Sequence, residues 1–284
     1  MKTFSKWLRR IVHLLIVLIA LIVCMFIIVH FSTTPSNNRA WNDDQAILPY
    51  AKIKDNLVSI HNIRNFSYAS TTSYTPNYYD KVFDLDKIKR AWYVVEPFSG
   101  IPGSAHTFLS FEFESDHSSS EFVSISVEIR KEKGEAFHPV KGLFNKYELM
   151  YVIADEKDAI KLRTNYRKDL VYLYPAKTTK EKTRRLFLDM IHRANELRDT
   201  PEFYNSVTNT CTTNIVRHVN DITPNRLPAF NLQILLPANS DKLAYKYGLL
   251  DTDLPFEEAR KKYFINDKAL QYADDPDFSV RIRE

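Results

Sequence analysis

Residues 11–31 are apolar throughout except for His13 and His30, a run long enough to cross a bilayer as one helix. Beyond it the apolar positions fall into two periods. Residues 57–68 alternate, with a break near Asn62; 91–98 form a continuous apolar run suited to a buried strand; 106–113 reads as a strand and 122–130 alternates cleanly; 147–153 and 170–174 read as further strands. A helical period takes over twice. Leu186, Phe187, Met190, Ile191, Ala194 and Leu197 place an amphipathic helix ahead of Pro201, opened by a capping box of Thr178 and Glu181. Ile215, Val216, Val219 and Ile222 mark a second helix that ends before Pro224. Among the connections, 74–80 is turn-rich, 84–89 suits a helical turn, and the polar stretch 156–167 has helical character. Residues 225–284 are interrupted by proline, with short helices at 240–247 and 255–263. The fold class implied is α+β, with an antiparallel sheet and a helix that carries Cys211 at its start.

Charge gives the apolar run a direction. Lys2, Lys6, Arg9 and Arg10 precede it without an acid, and no Lys or Arg follows until Arg39. The positive-inside rule then puts 1–10 in the cytoplasm, 11–31 through the membrane and the rest outside. A cleaved signal peptide would have a shorter apolar core and a small-residue cleavage site, and none precedes Phe31. Residues 21–24 have the outline of a lipoprotein box, but Val23 is large and more apolar residues follow, so Cys24 belongs to the span. Residues 32–41 read as a polar linker, short enough to keep the following domain beside the lipid. That domain holds about 250 residues, one domain with an elaborated C-terminal part. A net charge of +4 with interspersed signs argues against nucleic acid, and 44% hydrophobic residues with only five Gly describe a packed core.

The candidate chemistry centres on 204–219, YNSVTNTCTTNIVRHV. Ser206, Thr208, Asn209 and Thr210 are helix-capping types, so Cys211 falls in the first helical turn, where backbone N–H groups and the macrodipole favour a thiolate. A buried, inert cysteine is the alternative. The compartment argues for use: exported domains keep cysteines in disulfide pairs, and here the only other one, Cys24, lies in the span. The natural base is His106, at the start of a strand and delivered by the turn at Gly100–Gly103; His61 is the rival. If 106–113 and 122–130 form a hairpin centred near Ser118, paired residue numbers sum to about 236. That sets His106 opposite Arg130, diagonal to Glu128, with Ser126 on the same face. Glu128 or Ser126 would orient the imidazole; Asn209, Thr210 or the first-turn amides would serve an oxyanion, or Asn209 is simply the helix cap. Spacings for zinc, a phosphate loop or a Gly-x-Ser-x-Gly elbow are missing, so neither cofactor nor metal is expected.

Several segments together resemble a known family. IPGSAHTFLSFEF at 101–113, SVEIRKEKGE at 126–135, YELMYVIAD at 147–155, LRTNY at 162–166 and EFYNSVTNTCTTNIVR at 202–217 are similar to the N-terminal periplasmic domain of Lnb-type proteins. Lnb is a bacterial membrane acyltransferase that moves a fatty acyl chain within lipoproteins. The resemblance implies a permuted papain-like domain over 42–224 with a C-terminal extension at 225–284, and a Cys–His pair at Cys211 and His106. It also implies an inner-membrane protein whose domain is periplasmic. One N-terminal span and no C-terminal membrane bundle set this chain apart from Lnb, which leaves room for a separate membrane partner. The expected activity is acyl transfer or hydrolysis on a lipid or lipoprotein. A cysteine amidase or peptidase of the envelope, and a non-enzymatic envelope-binding protein, are the alternatives.

Overall fold

The computed structural model describes residues 2–115, 120–223, 227–228 and 231–284. The chain opens with a helix, α1 (Lys2–Ser32), whose stretch Lys6–Val29 is long and apolar enough to cross a membrane and touches little of the rest of the protein. Among the described residues ten strands follow: β1 (Tyr50–Lys54), β2 (Leu57–Arg64), β3 (Ser67–Tyr68), β4 (Tyr74–Thr75), β5 (Tyr78–Asp84), β6 (Ile88–Pro97), β7 (Ala105–Phe113), β8 (Glu121–Arg130), β9 (Glu148–Ala154) and β10 (Tyr172–Pro175). Eight of these form one sheet in the order β1-β2-β9-β8-β7-β6-β10, with β5 also paired to β2; β3 and β4 make a small separate ribbon. The large sheet is mostly antiparallel, the β2–β9 contact at Arg64 and Ala154 being parallel. The result is a mixed α+β protein.

Two helices cover one face of the sheet. The first, which we call α3 because α2 (Glu156–Lys161) precedes it, spans Lys180–Asp199, and the second, α4, spans Cys211–Ile222. Leu186, Phe187, Met190 and Ile191 of α3 and Ile215 of α4 pack on Val95, Leu109, Phe111, Ile125 and Tyr151 of the sheet, forming the larger core. Phe187 sits at its centre, its ring edge-on to those of Phe111 and Phe113. The other face carries a second core of Trp92, Phe108, Met150 and Val152, closed by α2 and by the C-terminal segment. That segment contains α5 (Leu232–Leu235), α6 (Ser240–Lys246), α7 (Phe256–Lys262), α8 (Asn266–Gln271) and α9 (Phe278–Arg281). It hydrogen-bonds alongside β10 through Tyr263 and Val171 and ends with Arg283 paired to the buried Glu156.

The register and caps differ from the sequence expectation in instructive ways. Strands β7 and β8 pair with residue numbers summing to 234, as in Phe108 opposite Ser126. The expected sum was two larger. A shift of two residues keeps every side chain on its face, but it takes Arg130 away from His106. Arg130 instead binds the carbonyls of Gln45 and Ala46 and stacks 4.3 Å over Trp41. The apex near Ser118, with His117, lies outside the described residues, as does Pro224. Helix α3 is capped by Thr179, whose hydroxyl accepts from the Lys182 N–H, rather than by Thr178. The turn-rich 74–80 contains in fact β4 and the start of β5, where the adjacent Tyr78 and Tyr79 are both half-buried and no alternating pattern arises. The break in β2 is real: Asn62 takes φ +62° at a register shift between Ile60 and Ile63. Residues 32–41 are bound down, with the Asn37 amide donating to the carbonyls of Leu197 and Arg198 and Ser36 N–H to Glu148.

Candidate functional site

The turn before β7 sets the first side chain. Gly103 adopts φ +81°, a conformation that costs glycine little, while the Phe98 N–H donates to the Ser104 carbonyl and closes the loop. Two residues into the strand, His106 is cross-paired with Glu96 of β6. From β8, Ser126 Oγ lies 2.7 Å and Glu128 Oε1 3.1 Å from His106 Nε2, and Ser126 Oγ donates to Glu128 Oε1 at 2.8 Å. Nε2 is thereby committed to β8, and the imidazole is close enough to the Cys211 thiol to favour its ionised form.

A buried arginine completes this cluster. Beyond α2 the helix widens into a single π-turn, Leu162–Arg167, which aims Arg163 into the sheet. Its Nε donates to Glu96 Oε2 at 2.6 Å, one terminal nitrogen donates to Glu128 Oε1 at 3.0 Å, and the guanidinium lies 4.8 Å over the Phe108 ring. Arg163 thus neutralises two carboxylates that would otherwise repel each other on either side of His106. A buried charge survives only with such partners.

The sulfur is brought in by α4. Its cap is Thr210, whose hydroxyl accepts from the Thr213 N–H while the Thr213 hydroxyl accepts from the Thr210 N–H. Asn209 is not the cap. Its amide donates to the Phe203 carbonyl and accepts from Asn214, bracing the turn before the helix. Cys211 is consequently the first helical residue, as the capping pattern requires. Thr212 follows, its hydroxyl 3.7 Å from the sulfur and 3.0 Å from that of Thr107 on β7, so neighbouring residues of the strand and the helix are joined.

The electrostatics follow from these contacts. Burial alone would push the Cys211 thiol up, but the hydrogen bond from His106 and its positive charge outweigh it and bring the thiol to about 7. Burial would likewise lower His106; the Glu128 carboxylate and the hydrogen bond to the sulfur overcome that and raise it to about 10. Glu128 is itself held well below the usual carboxylate range, burial being outweighed by His106 and Arg163. Between about pH 7 and 10 the two groups form a thiolate–imidazolium pair. Such a thiol is a nucleophile, and such an imidazolium a proton donor.

Two other histidines, His61 and His218, are engaged elsewhere. His61 stacks on Tyr50 with ring centroids 4.5 Å apart and pairs with Asp80. His218, fully inside α4's buried face, lies between Tyr151 OH at 2.6 Å and Asp189 at 2.5 Å, tying α4 to α3 and β9. Among the described residues no group of His, Cys, Asp and Glu is arranged to hold a metal ion. Beside Thr212 a largely apolar cavity of about 110 Å³ runs between α4, α3 and β6, bounded by Ala91, Leu109, Leu186, Ile215, Val219 and Leu250.

The family model for the Lnb N-terminal periplasmic domain matches residues 74–238, well over half of the chain. The chain belongs to that family. The match takes in Glu96, His106, Ser126, Glu128, Arg163 and Cys211, every member of the cluster. With α1, this Lnb-family chain is consistent with a single-pass inner-membrane protein carrying a periplasmic domain. No curated protein and no solved structure matches it. Of the residues around the sulfur, Glu96, Arg163, Thr107 and Thr212 were not marked by sequence reasoning. The one available signal was an acid, Glu96, interrupting the apolar run 91–98.

Proposed function

We propose that this Lnb-family chain is a membrane-anchored periplasmic thiol enzyme that transfers or hydrolyses an acyl group of a lipid or lipoprotein. The observation that carries the reading is that His106, held by Ser126 and Glu128, and Cys211, at a helix start, are brought together where Thr107 and Thr212 bond strand to helix, the imidazole favouring the thiolate. In this reading the Cys211 thiolate attacks the acyl carbonyl, the C–O bond to the leaving alcohol breaks, and His106 gives that alcohol its proton. The thioester is then opened by water or an amine, whose proton returns to His106 as the thiolate departs. The first-turn amides of α4, at whose start Cys211 stands, would serve the oxyanion. Glu128 and Ser126 orient the imidazole, and Arg163 holds Glu128. The apolar cavity beside Thr212 suits part of an acyl chain.

The same reading divides the chain into a cytoplasmic N-terminus at 1–10, a span at 11–31, a connection at 32–41, a permuted papain-like domain at 42–224 and an extension at 225–284. Strand histidine before helix cysteine is the order that supports the permuted arrangement. The test is to hold the full chain in nanodiscs of a diacyl phospholipid and search the Cys211 peptide by mass spectrometry for an acyl adduct labile to neutral hydroxylamine. An adduct lost in Cys211→Ala is expected. Release of a peptide from a peptidoglycan fragment, with no adduct from lipid, would move the assignment to an envelope amidase.

A further inference from the structure

We infer that the loops 137–146 and 203–208 form one face that inserts into the outer boundary of the bilayer crossed by α1, placing Cys211 at the lipid–water interface. The depth comes from a ring contact. Phe144 meets Phe26 of α1 with centroids 6.1 Å apart. Phe26 lies five residues before Phe31, the last apolar position, which at the helical rise is about 7.5 Å inside the end of the apolar run. If α1 spans the membrane, the residue that touches Phe26 is within the depth that interfacial segments reach, about 5–10 Å. Next to it, Asn145 donates to the Thr33 hydroxyl at 3.3 Å and fixes the loop against the helix end.

This loop leaves apolar side chains open to solvent, Phe137 although its ring meets those of Tyr147 and Tyr204. Val140 is 55% and Phe137 37% exposed. Exposed Lys141 beside them has a long stem and a charged head able to reach phosphate. The second loop is stapled to the first: Ser206 Oγ donates to the Pro139 carbonyl at 2.7 Å and the Ser206 N–H to the Gly142 carbonyl. Gly142 is required there, since a Cβ would collide with Ser206 Oγ. Asn205 Oδ1 accepts the N–H groups of Val207 and Thr208, so the tip is shaped, and Val207 at the tip is 38% exposed. Cys211 is four positions beyond Val207, a chain reach of at most about 14 Å. The occupant is the lipid of the bilayer that α1 crosses, because the face is continuous with that helix. Resting on the activity proposed above, the consequence is that the acyl carbonyl is presented by a lipid that stays in the membrane.

The face can be tested without the activity. Nitroxide labels at Val140→Cys and Val207→Cys, and at Leu270→Cys in the C-terminal extension for comparison, are placed in the full chain with Cys24→Ser and Cys211→Ser, in lipid nanodiscs. Power saturation should show the first two labels favouring oxygen over a soluble nickel chelate and Leu270 the reverse. If either loop label is as open to the chelate as Leu270, the face does not enter lipid and the inference fails, including in favour of a protein partner. Phe137→Cys provides an independent third site should one label disturb its loop. Cys211 is absent throughout, so the outcome is independent of whether the thiol is catalytic.

Discussion

Replacing His106 with Ala should change the pH dependence of Cys211 alkylation in a way that reverses sign. The sulfur stands at about 7 against an ordinary 9.0, and the causes that lower it are chiefly His106. Without the imidazole only burial and weaker hydrogen bonds remain, so the thiol returns to 9.0 or above. At pH 7 the thiolate fraction then falls from about one half to about one per cent, roughly 50-fold. A more basic thiolate is intrinsically more nucleophilic, with a Brønsted coefficient of about 0.45, which over two pH units restores about 8-fold. The net expectation is alkylation about 6-fold slower at pH 7, a crossing near about pH 8, and a variant faster than the parent at pH 10. Iodoacetamide labelling of the full chain, followed on the Cys211 peptide so that Cys24 does not interfere, measures both limbs. Equal rates for the two proteins at pH 7, or a parent rate that still climbs steeply above pH 8, would refute the thiolate–imidazolium pair.

Four further outcomes are expected. Parent turnover should rise through about pH 7, as the thiol ionises, and fall through about pH 10, as His106 loses its proton; the two limbs belong to the coupled pair. Glu128→Gln removes the carboxylate that raises His106, so the upper limb should move down by about 1–3 units with the lower limb changed little; an unmoved upper limb in the rate profile would exclude that role. Arg163→Met removes the buried cation that Glu96 and Glu128 share, leaving only Arg167 beside the first and His106 beside the second, and should cost about 3–5 kcal/mol in denaturant unfolding. Phe187→Ala empties the centre of the larger core and should cost about 3–5 kcal/mol by the same measurement, with Cys211 alkylation of the folded fraction unchanged.

Much of the local structure was written in single stretches of the chain. The period of Leu186, Phe187, Met190 and Ile191 is enough to specify α3, because one apolar face needs only one helix to define it. The run of capping residues before Cys211, the strand at 106–113 and the alternation in 122–130 likewise follow from local chemistry, and α1 from length and apolarity alone. The terminal cap atoms were less certain from sequence, since Thr178 and Thr179, or Asn209 and Thr210, offer the same donors and acceptors one residue apart. What tertiary structure decided was pairing. Register between β7 and β8 depends on how both strands meet their other neighbours, β6 and β9, and a slip of two residues leaves no trace in the polar pattern. The salt-bridged cluster was equally hidden: Glu96, Glu128 and Arg163 lie far apart in sequence, and their largely buried charges are tolerable only because folding places them within hydrogen-bond reach. The sequence on its own determined the candidate residues and the elements that bear them; the fold determined how they meet, and with that the lowered pKa of the Cys211 thiol.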